Sequence, residues 1–72
     1  MSLRFPPELF EELMKAGKTV YINSRVFRGR GKIENVFYAE SFSRNRYPIG
    51  IVLSTEDGRY YICIEDIFLL KW

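Results

Sequence analysis

The chain has 72 residues, a formal net charge of +2 and 17% aromatic residues, and this length allows one small domain and little more. It contains one cysteine and no histidine, so an internal disulfide cannot form and the commonest general base and metal ligand is absent. No run reaches the length of a transmembrane helix, and prolines and glutamates interrupt the start, where a signal peptide would be apolar. We therefore expect a single domain over residues 1–72, located in the reducing cytoplasm and without a membrane partner.

The first predicted element is a helix over residues 6–16. Pro6-Pro7 pre-sets the backbone of a first helical turn, and Gly17 is a typical residue just past a helix C-terminus. An apolar stripe recurs at helical spacing. Its members are Leu9, Phe10, Leu13 and Met14. A helix this short is not stable alone in water, so we predict that the stripe packs on a sheet.

Two strands are predicted next, over residues 18–23 and 32–40, with a glycine-containing loop over residues 23–31 between them. The second strand changes its pattern, because Ile33 fits one face whereas Val36 and Tyr38 fit the other. A β-bulge near Glu34-Asn35 would reconcile the two parities. Such a bulge also bends the strand, as closure of a small barrel requires.

Residues 47–67 carry the clearest pattern, that of a β-hairpin preceded by a polar loop over residues 41–46. Its first strand is predicted to place one apolar row on one face. That row consists of Tyr47, Ile49, Ile51 and Leu53. Asp57-Gly58 predicts a tight turn, and the returning row consists of Tyr60, Ile62 and Ile64. Residues 65–67 then predict a single helical turn, and residues 68–72 a last short strand.

Together these elements predict a mainly β (α+β) fold: a short N-terminal helix plus a five-stranded small barrel over residues 18–72. Four features resemble the SH3-like small β-barrel superfamily. They are Gly31-Lys32-Ile33, Tyr47-Pro48-Ile49, the Asp57-Gly58 turn and Glu65-Asp66-Ile67 before the last strand. The chain is also similar to the Sm/Hfq-like barrels, which begin with a helix and have a glycine in a bent second strand. The second motif of that family is not matched by Cys63-Ile64-Glu65-Asp66, so its uridine pocket and ring are not implied.

The sequence predicts no enzyme activity, no cofactor and no metal site. Cys63 has no imidazole to activate it, which favours a structural thiol over a nucleophile. The acidic pairs Glu56-Asp57 and Glu65-Asp66 fall in predicted turns. Asp in turns often accepts hydrogen bonds from backbone N–H groups, and other metal ligands are missing there.

Basic residues cluster in the two predicted loops, without an acidic residue among the first four. They are Arg25, Arg28, Arg30, Lys32, Arg44 and Arg46. Phe27 and Phe42 are interleaved with them. Guanidinium groups bind phosphates bidentately and aromatic rings stack on bases, so this pattern predicts a nucleic-acid-binding site. The alternative is a pair of solvated loops whose phenylalanines fold inward.

A protein-interaction or homodimerisation surface is the alternative function. The aromatic residues exceed what so small a core can enclose, and Tyr and Trp are typical interface anchors. The candidates are Tyr21, Tyr38, Tyr60, Tyr61 and Trp72. The best prediction is a non-enzymatic intracellular binding module, with nucleic acid ahead of protein. By analogy of size and fold, an accessory protein of a phage or plasmid would fit. Arginines gathered on one face favour nucleic acid, whereas an uncharged aromatic patch favours protein.

Overall fold

The computed structural model of the protein describes residues 5–6 and 8–72 and contains one helix and one antiparallel sheet. The elements are α1 (Leu9–Lys15), β1 (Thr19–Ser24), β2 (Arg28–Glu40), β3 (Arg46–Thr55), β4 (Gly58–Cys63), a 3₁₀ turn (Ile64–Asp66) and β5 (Ile67–Lys71). The strand order is β4-β3-β2-β1-β5, and the sheet curls into a half-barrel. The predicted mainly β fold with one short helix is thus confirmed. In the described part of the chain, no helix combines the length and apolarity needed to cross a membrane.

The helix covers the concave side of the sheet, as its apolar stripe predicted. Phe10 and Leu13 are buried in the core, and Leu9 and Met14 pack against it. Gly17, with φ 65°, ends the helix at the predicted position. The helix is shorter than the predicted 6–16, because the N–H of Leu9 closes a turn on the carbonyl of Pro6 at 3.1 Å before the helix begins. Pro7 lies outside the described residues.

The core is one cluster to which α1 and all five strands contribute. Its buried members are Phe10, Leu13, Val20, Ile22, Ile33, Val36, Ile51, Leu53, Ile62, Ile67 and Leu70. In the predicted returning row, Ile62 is buried, and Tyr60 and Ile64 are packed on the cluster. The core therefore lies on the inner side of the curled sheet and leaves the outer side to solvent.

Two irregularities bend β2 against β3. The first lies between Ile33 and Asn35, which confirms the bulge predicted near Glu34-Asn35. At the second, Phe37 pairs with Gly50 and Tyr38 with Pro48, so Ile49 is left without a partner.

The predicted apolar row of β3 is wrong in its first half because of that second bulge. Ile51 and Leu53 are fully buried, but Ile49 is 40% exposed and Pro48 is buried in its place. An extra residue in a strand reverses which side chains face the core.

The predicted loop over residues 23–31 is also wrong, since β2 begins at Arg28. A four-residue turn replaces the loop. In it the Ser24 hydroxyl donates to the Phe27 carbonyl at 2.7 Å and accepts from the Phe27 N–H at 2.9 Å. Gly31 lies inside the strand, where a Cβ would be only 2.5 Å from the carbonyl oxygen of Ser54. Glycine at this position therefore serves the close approach of β2 to β3 rather than a mobile loop.

Candidate nucleic-acid interface

Three of the predicted basic residues share the outer side of β2. Arg28, Arg30 and Lys32 are exposed, whereas Ile33 at the opposite parity is buried. Because side chains alternate across a strand, residues two apart lie about 7 Å from each other on the same side. Among the described residues, none of the three forms an ion pair. The folded strand thus holds three cations in a row, none of them in an ion pair with another described residue.

Two neighbouring strands extend this row sideways. Tyr21 of β1 pairs with Arg30 of β2 and with Lys71 of β5. Two strand spacings separate Arg30 from Lys71, about 10 Å between backbones. Trp72 follows Lys71 and is 63% exposed. Cations therefore stand on both sides of a tyrosine, with an exposed indole beside them.

These side chains border a shallow, open depression of about 480 Å³. It is lined by Thr19, Tyr21, Arg30, Leu69, Lys71 and Trp72, and none of these residues is acidic. We call the combined surface the basic face, defined as Tyr21, Arg28, Arg30, Lys32, Lys71 and Trp72. It joins cations that can hold phosphates to aromatic rings that can hold bases.

Acidic side chains limit the basic face on its β3–β4 side. A second recess, of about 660 Å³, lies between β2 and the β3–β4 turn, and its lining includes Arg28, Arg30 and Lys32 together with Glu56 and Asp57. A polyanion is repelled by the two carboxylates of that turn. A polyanion bound at β2 is therefore expected to extend across β1 toward β5, away from these carboxylates.

Arg25 is not part of the basic face. Its Nε lies 3.5 Å from Oδ1 of Asp66, and its backbone N–H donates to the Asp66 carbonyl at 3.0 Å. The contacts link the β1–β2 turn to the 3₁₀ turn and pair the Arg25 charge with a carboxylate.

The structure does not bring Arg44 and Arg46 to the other candidates either. Arg44 lies in the turn that joins β2 to β3, and Arg46 is the first residue of β3, opposite Glu40 in the strand register. Arg30 and Glu40 are ten positions apart along β2, which corresponds to a contour length of about 33 Å. The guanidinium of Arg46 lies over the ring of Tyr38, 4.5 Å from its centroid. We call residues 41–46 the hairpin tip.

The two phenylalanines predicted to stack on bases have different surroundings. The ring of Phe27 packs on Tyr60, with 4.7 Å between centroids, and lies over Gly29. It is half-buried against the core, so its faces are largely used within the protein. Phe42 is fully exposed at the hairpin tip, far along β2 from the basic face.

The five aromatic residues predicted for a protein interface do not form one patch. Tyr38 and Tyr60 pack on the core, whereas Tyr21 and Trp72 lie in the basic depression. Tyr61 is 51% exposed on the outer side of β4, with its ring 5.7 Å from that of Phe37. The structure therefore divides the set between the core, the basic face and a separate aromatic pair.

Sequence reasoning missed Lys71 as a candidate site residue and assigned Tyr21 and Trp72 to the alternative function. Only strand pairing could have indicated this grouping, because the β1–β5 register places Lys71 beside Tyr21. Within the described ranges, no three His, Cys, Asp or Glu side chains gather where they could hold a metal ion. Cys63 is exposed on β4.

Comparison of the chain with models of protein families, with curated proteins and with solved structures gave no match. The function therefore has to be argued from the site itself.

Proposed function

We propose that the protein is a non-enzymatic module that binds nucleic acid through the basic face. The observation that carries this proposal is the row of Arg28, Arg30 and Lys32 on one side of β2, without ion-pair partners among the described residues. Lys71 adds a fourth cation across β1. Cations aligned on a rigid strand suit a ligand whose own charges are repeated along a backbone.

The small net charge of +2 does not oppose this proposal, because the charges are segregated. Most acidic residues lie in or beside the helix, in the β3–β4 turn and in the 3₁₀ turn. Glu34 and Glu40 lie further along β2, where Glu34 forms an ion pair with Arg59. No acidic residue lines the depression between Arg30 and Lys71. Local charge, rather than the total, sets the potential that a bound polyanion meets.

The test is titration of the protein into fluorescent oligonucleotides at 50 and 200 mM salt. Four phosphate contacts predict a slope of about −2.8 in log affinity against log salt for a single strand, or about 50-fold weaker binding at the higher salt. Affinity that does not change with salt, or no binding at 50 mM, would rule the proposal out. A neutral fluorescent peptide serves as the ligand control.

We further infer that the half-barrel belongs with the SH3-like small barrels rather than the Sm/Hfq-like ones. Support comes from the 3₁₀ turn over Ile64–Asp66 immediately before the last strand. The absence of an Sm-type second motif at Cys63-Ile64-Glu65-Asp66 points the same way. An experimental structure with a barrel closed differently would contradict this inference.

Protein interaction or self-association is the second candidate function, favoured by the aromatic pair on the outer side of the sheet. Phe37 is 40% exposed, and Tyr61 lies against Gly50, where a larger residue would displace it. Exposed aromatic surface of this kind is typical of interfaces. Sedimentation over a range of concentrations tests it: a dimer that Tyr61→Ser dissociates supports self-association, and a monomer throughout excludes it.

A further inference from the structure

The basic face combines two kinds of side chain that a double-stranded ligand could not use together. Arg28, Arg30 and Lys32 follow the direction of β2, whereas Tyr21 and Trp72 lie to one side of them, toward and beyond β5. In a duplex the flat faces of the bases are stacked on one another, and only edges and phosphates are accessible. In a single strand the faces of the bases are free to stack on protein aromatic rings.

We infer that the ligand of the basic face is single-stranded nucleic acid, whose backbone follows β2 and whose bases reach across β1 to stack on Tyr21 and Trp72. This inference rests on the proposed function and specifies its ligand. The carboxylates of Glu56 and Asp57 border β2 on its other side, so the phosphates are excluded there and the bases point toward β5.

The width of the depression agrees with this arrangement. Arg30 and Lys71 lie about 10 Å apart across the sheet, with Tyr21 directly between them. A base attached to a phosphate at Arg30 therefore meets the tyrosine ring first and the indole next. Tyr21 is half-buried and held by its strand on both sides, whereas Trp72 is 63% exposed. We therefore expect Tyr21 to provide a fixed stacking surface at the base of the depression and Trp72 an accessible one at its side.

Trp72 is the single tryptophan of the chain, which makes its intrinsic fluorescence a direct reporter of stacking. The experiment titrates the full chain with three ligands of equal length: oligothymidylate, a blunt duplex and an abasic phosphodiester oligomer. Oligothymidylate is expected to quench the fluorescence and to bind about tenfold more tightly than the duplex. The abasic oligomer is expected to bind weakly and to leave the fluorescence unchanged, because it offers phosphates alone.

Two results would overturn the inference and leave the proposed function standing. One is a duplex that binds as tightly as the single strand. The other is a single strand that binds without quenching Trp72. Failure of all three ligands to bind at 50 mM salt would instead remove the proposed function, and this inference with it.

A variant series locates the stacking contact by a second readout, the anisotropy of labelled oligothymidylate. Trp72→Leu is expected to weaken binding roughly 5- to 100-fold, as for loss of one base–aromatic stack, and Trp72→Phe to restore most of it. Phe68→Leu is the matched control, since Phe68 is exposed to a similar degree (58%) and lies on β5, just before Trp72, but outside the depression. Equal losses in Trp72→Leu and Phe68→Leu would contradict a specific stack.

Phe42→Leu distinguishes the basic face from the hairpin tip. If Phe42→Leu weakens binding and Trp72→Leu does not, the bases are held at the tip and the inference is wrong. Circular dichroism of each variant shows whether the fold is kept; we expect it to be, because the two replaced side chains are 63% and 110% exposed.

Discussion

The two ends of β2 differ in what they do with the same kinds of residue. At its start, Arg28, Arg30 and Lys32 alternate with inward-facing positions and share one outer side of a paired strand. At its other end the hairpin tip carries Arg44 in the turn, with a left-handed backbone (φ 64°), and Arg46 at the first position of β3, with its guanidinium over Tyr38. A strand aligns its charges because its period is two, whereas a turn directs each side chain separately.

Hydrogen bonding gives the hairpin tip a fixed shape without a core. The Ser41 N–H donates to the Asn45 carbonyl at 3.0 Å, and the Arg44 N–H donates to the Ser41 carbonyl at 2.9 Å. The side chains of Ser41, Ser43 and Asn45 are joined by further hydrogen bonds. Such local bonds hold a turn but bury little apolar surface. The two ends of β2 should therefore differ in their sensitivity to mutation.

The largest difference is expected from filling the space at Gly31. Gly31→Val places side-chain atoms against the Ser54 carbonyl and the Leu53 side chain, and backbone cannot yield as a flexible side chain does. We expect about 3 kcal/mol or more of lost stability in urea unfolding. This loss would be most of what a core this small supplies.

The matched change at the hairpin tip is Ser43→Val, which replaces an exposed residue. It is expected to cost about 0.5 kcal/mol or less. Equal midpoints for the two variants would show that β2 does not depend on close approach at Gly31.

The next largest effect separates the two phenylalanines that the sequence predicted to stack on bases. Phe27→Ala removes a half-buried ring packed on Tyr60, and we expect a loss of about 2 kcal/mol in stability. Phe42→Ala removes a fully exposed ring and should change stability by less than about 0.5 kcal/mol. Thermal unfolding of both variants checks this, and a larger loss in Phe42→Ala would contradict the placement of the two rings.

The third comparison removes two positive charges from one end of β2 or from the other and compares the effects on binding. Arg28→Gln/Arg30→Gln removes two phosphate contacts and is expected to weaken oligothymidylate binding about 25-fold at 0.1 M salt, with a salt slope smaller by about 1.4. Arg44→Gln/Arg46→Gln removes the same charge from the hairpin tip and is expected to cost about 3-fold or less through the long-range field. Equal losses would mean that binding follows net charge and not a site.

Much of the fold was predictable because it depends on local patterns. The helix stripe, the Gly17 stop and the bulge at Glu34-Asn35 follow from spacing and from backbone chemistry. The second bulge, beside Ile49, was missed because the alternating pattern of β3 continues through it. The loop predicted over residues 23–31 was wrong because glycine was interpreted as a sign of mobility. In the structure Gly29 makes room for the ring of Phe27, and Gly31 for the backbone of β3.

The site was predictable only in part, for a different reason. The sequence identifies Arg28, Arg30 and Lys32 as a basic cluster, since they are close in the chain. It does not identify Lys71 and Trp72 as their neighbours, because that depends on the pairing of β5 with β1. For the same reason Arg44 and Arg46 were grouped with residues from which the length of β2 separates them.

The pairing of β1 with β5 has a consequence for when the basic face exists. The other strand pairs join neighbours in sequence, whereas this one joins the first strand to the last. Contacts of such long range form late in folding, because loop closure costs entropy before the contact stabilises anything. We therefore expect Tyr21 and Lys71 to meet last, and a chain in which β5 is unpaired would present the arginines of β2 without the stacking surface. A ligand bound to both β2 and β5 would then stabilise the pairing of β5 with β1. Local opening of that strand pair would become rarer as the affinity of the ligand increases.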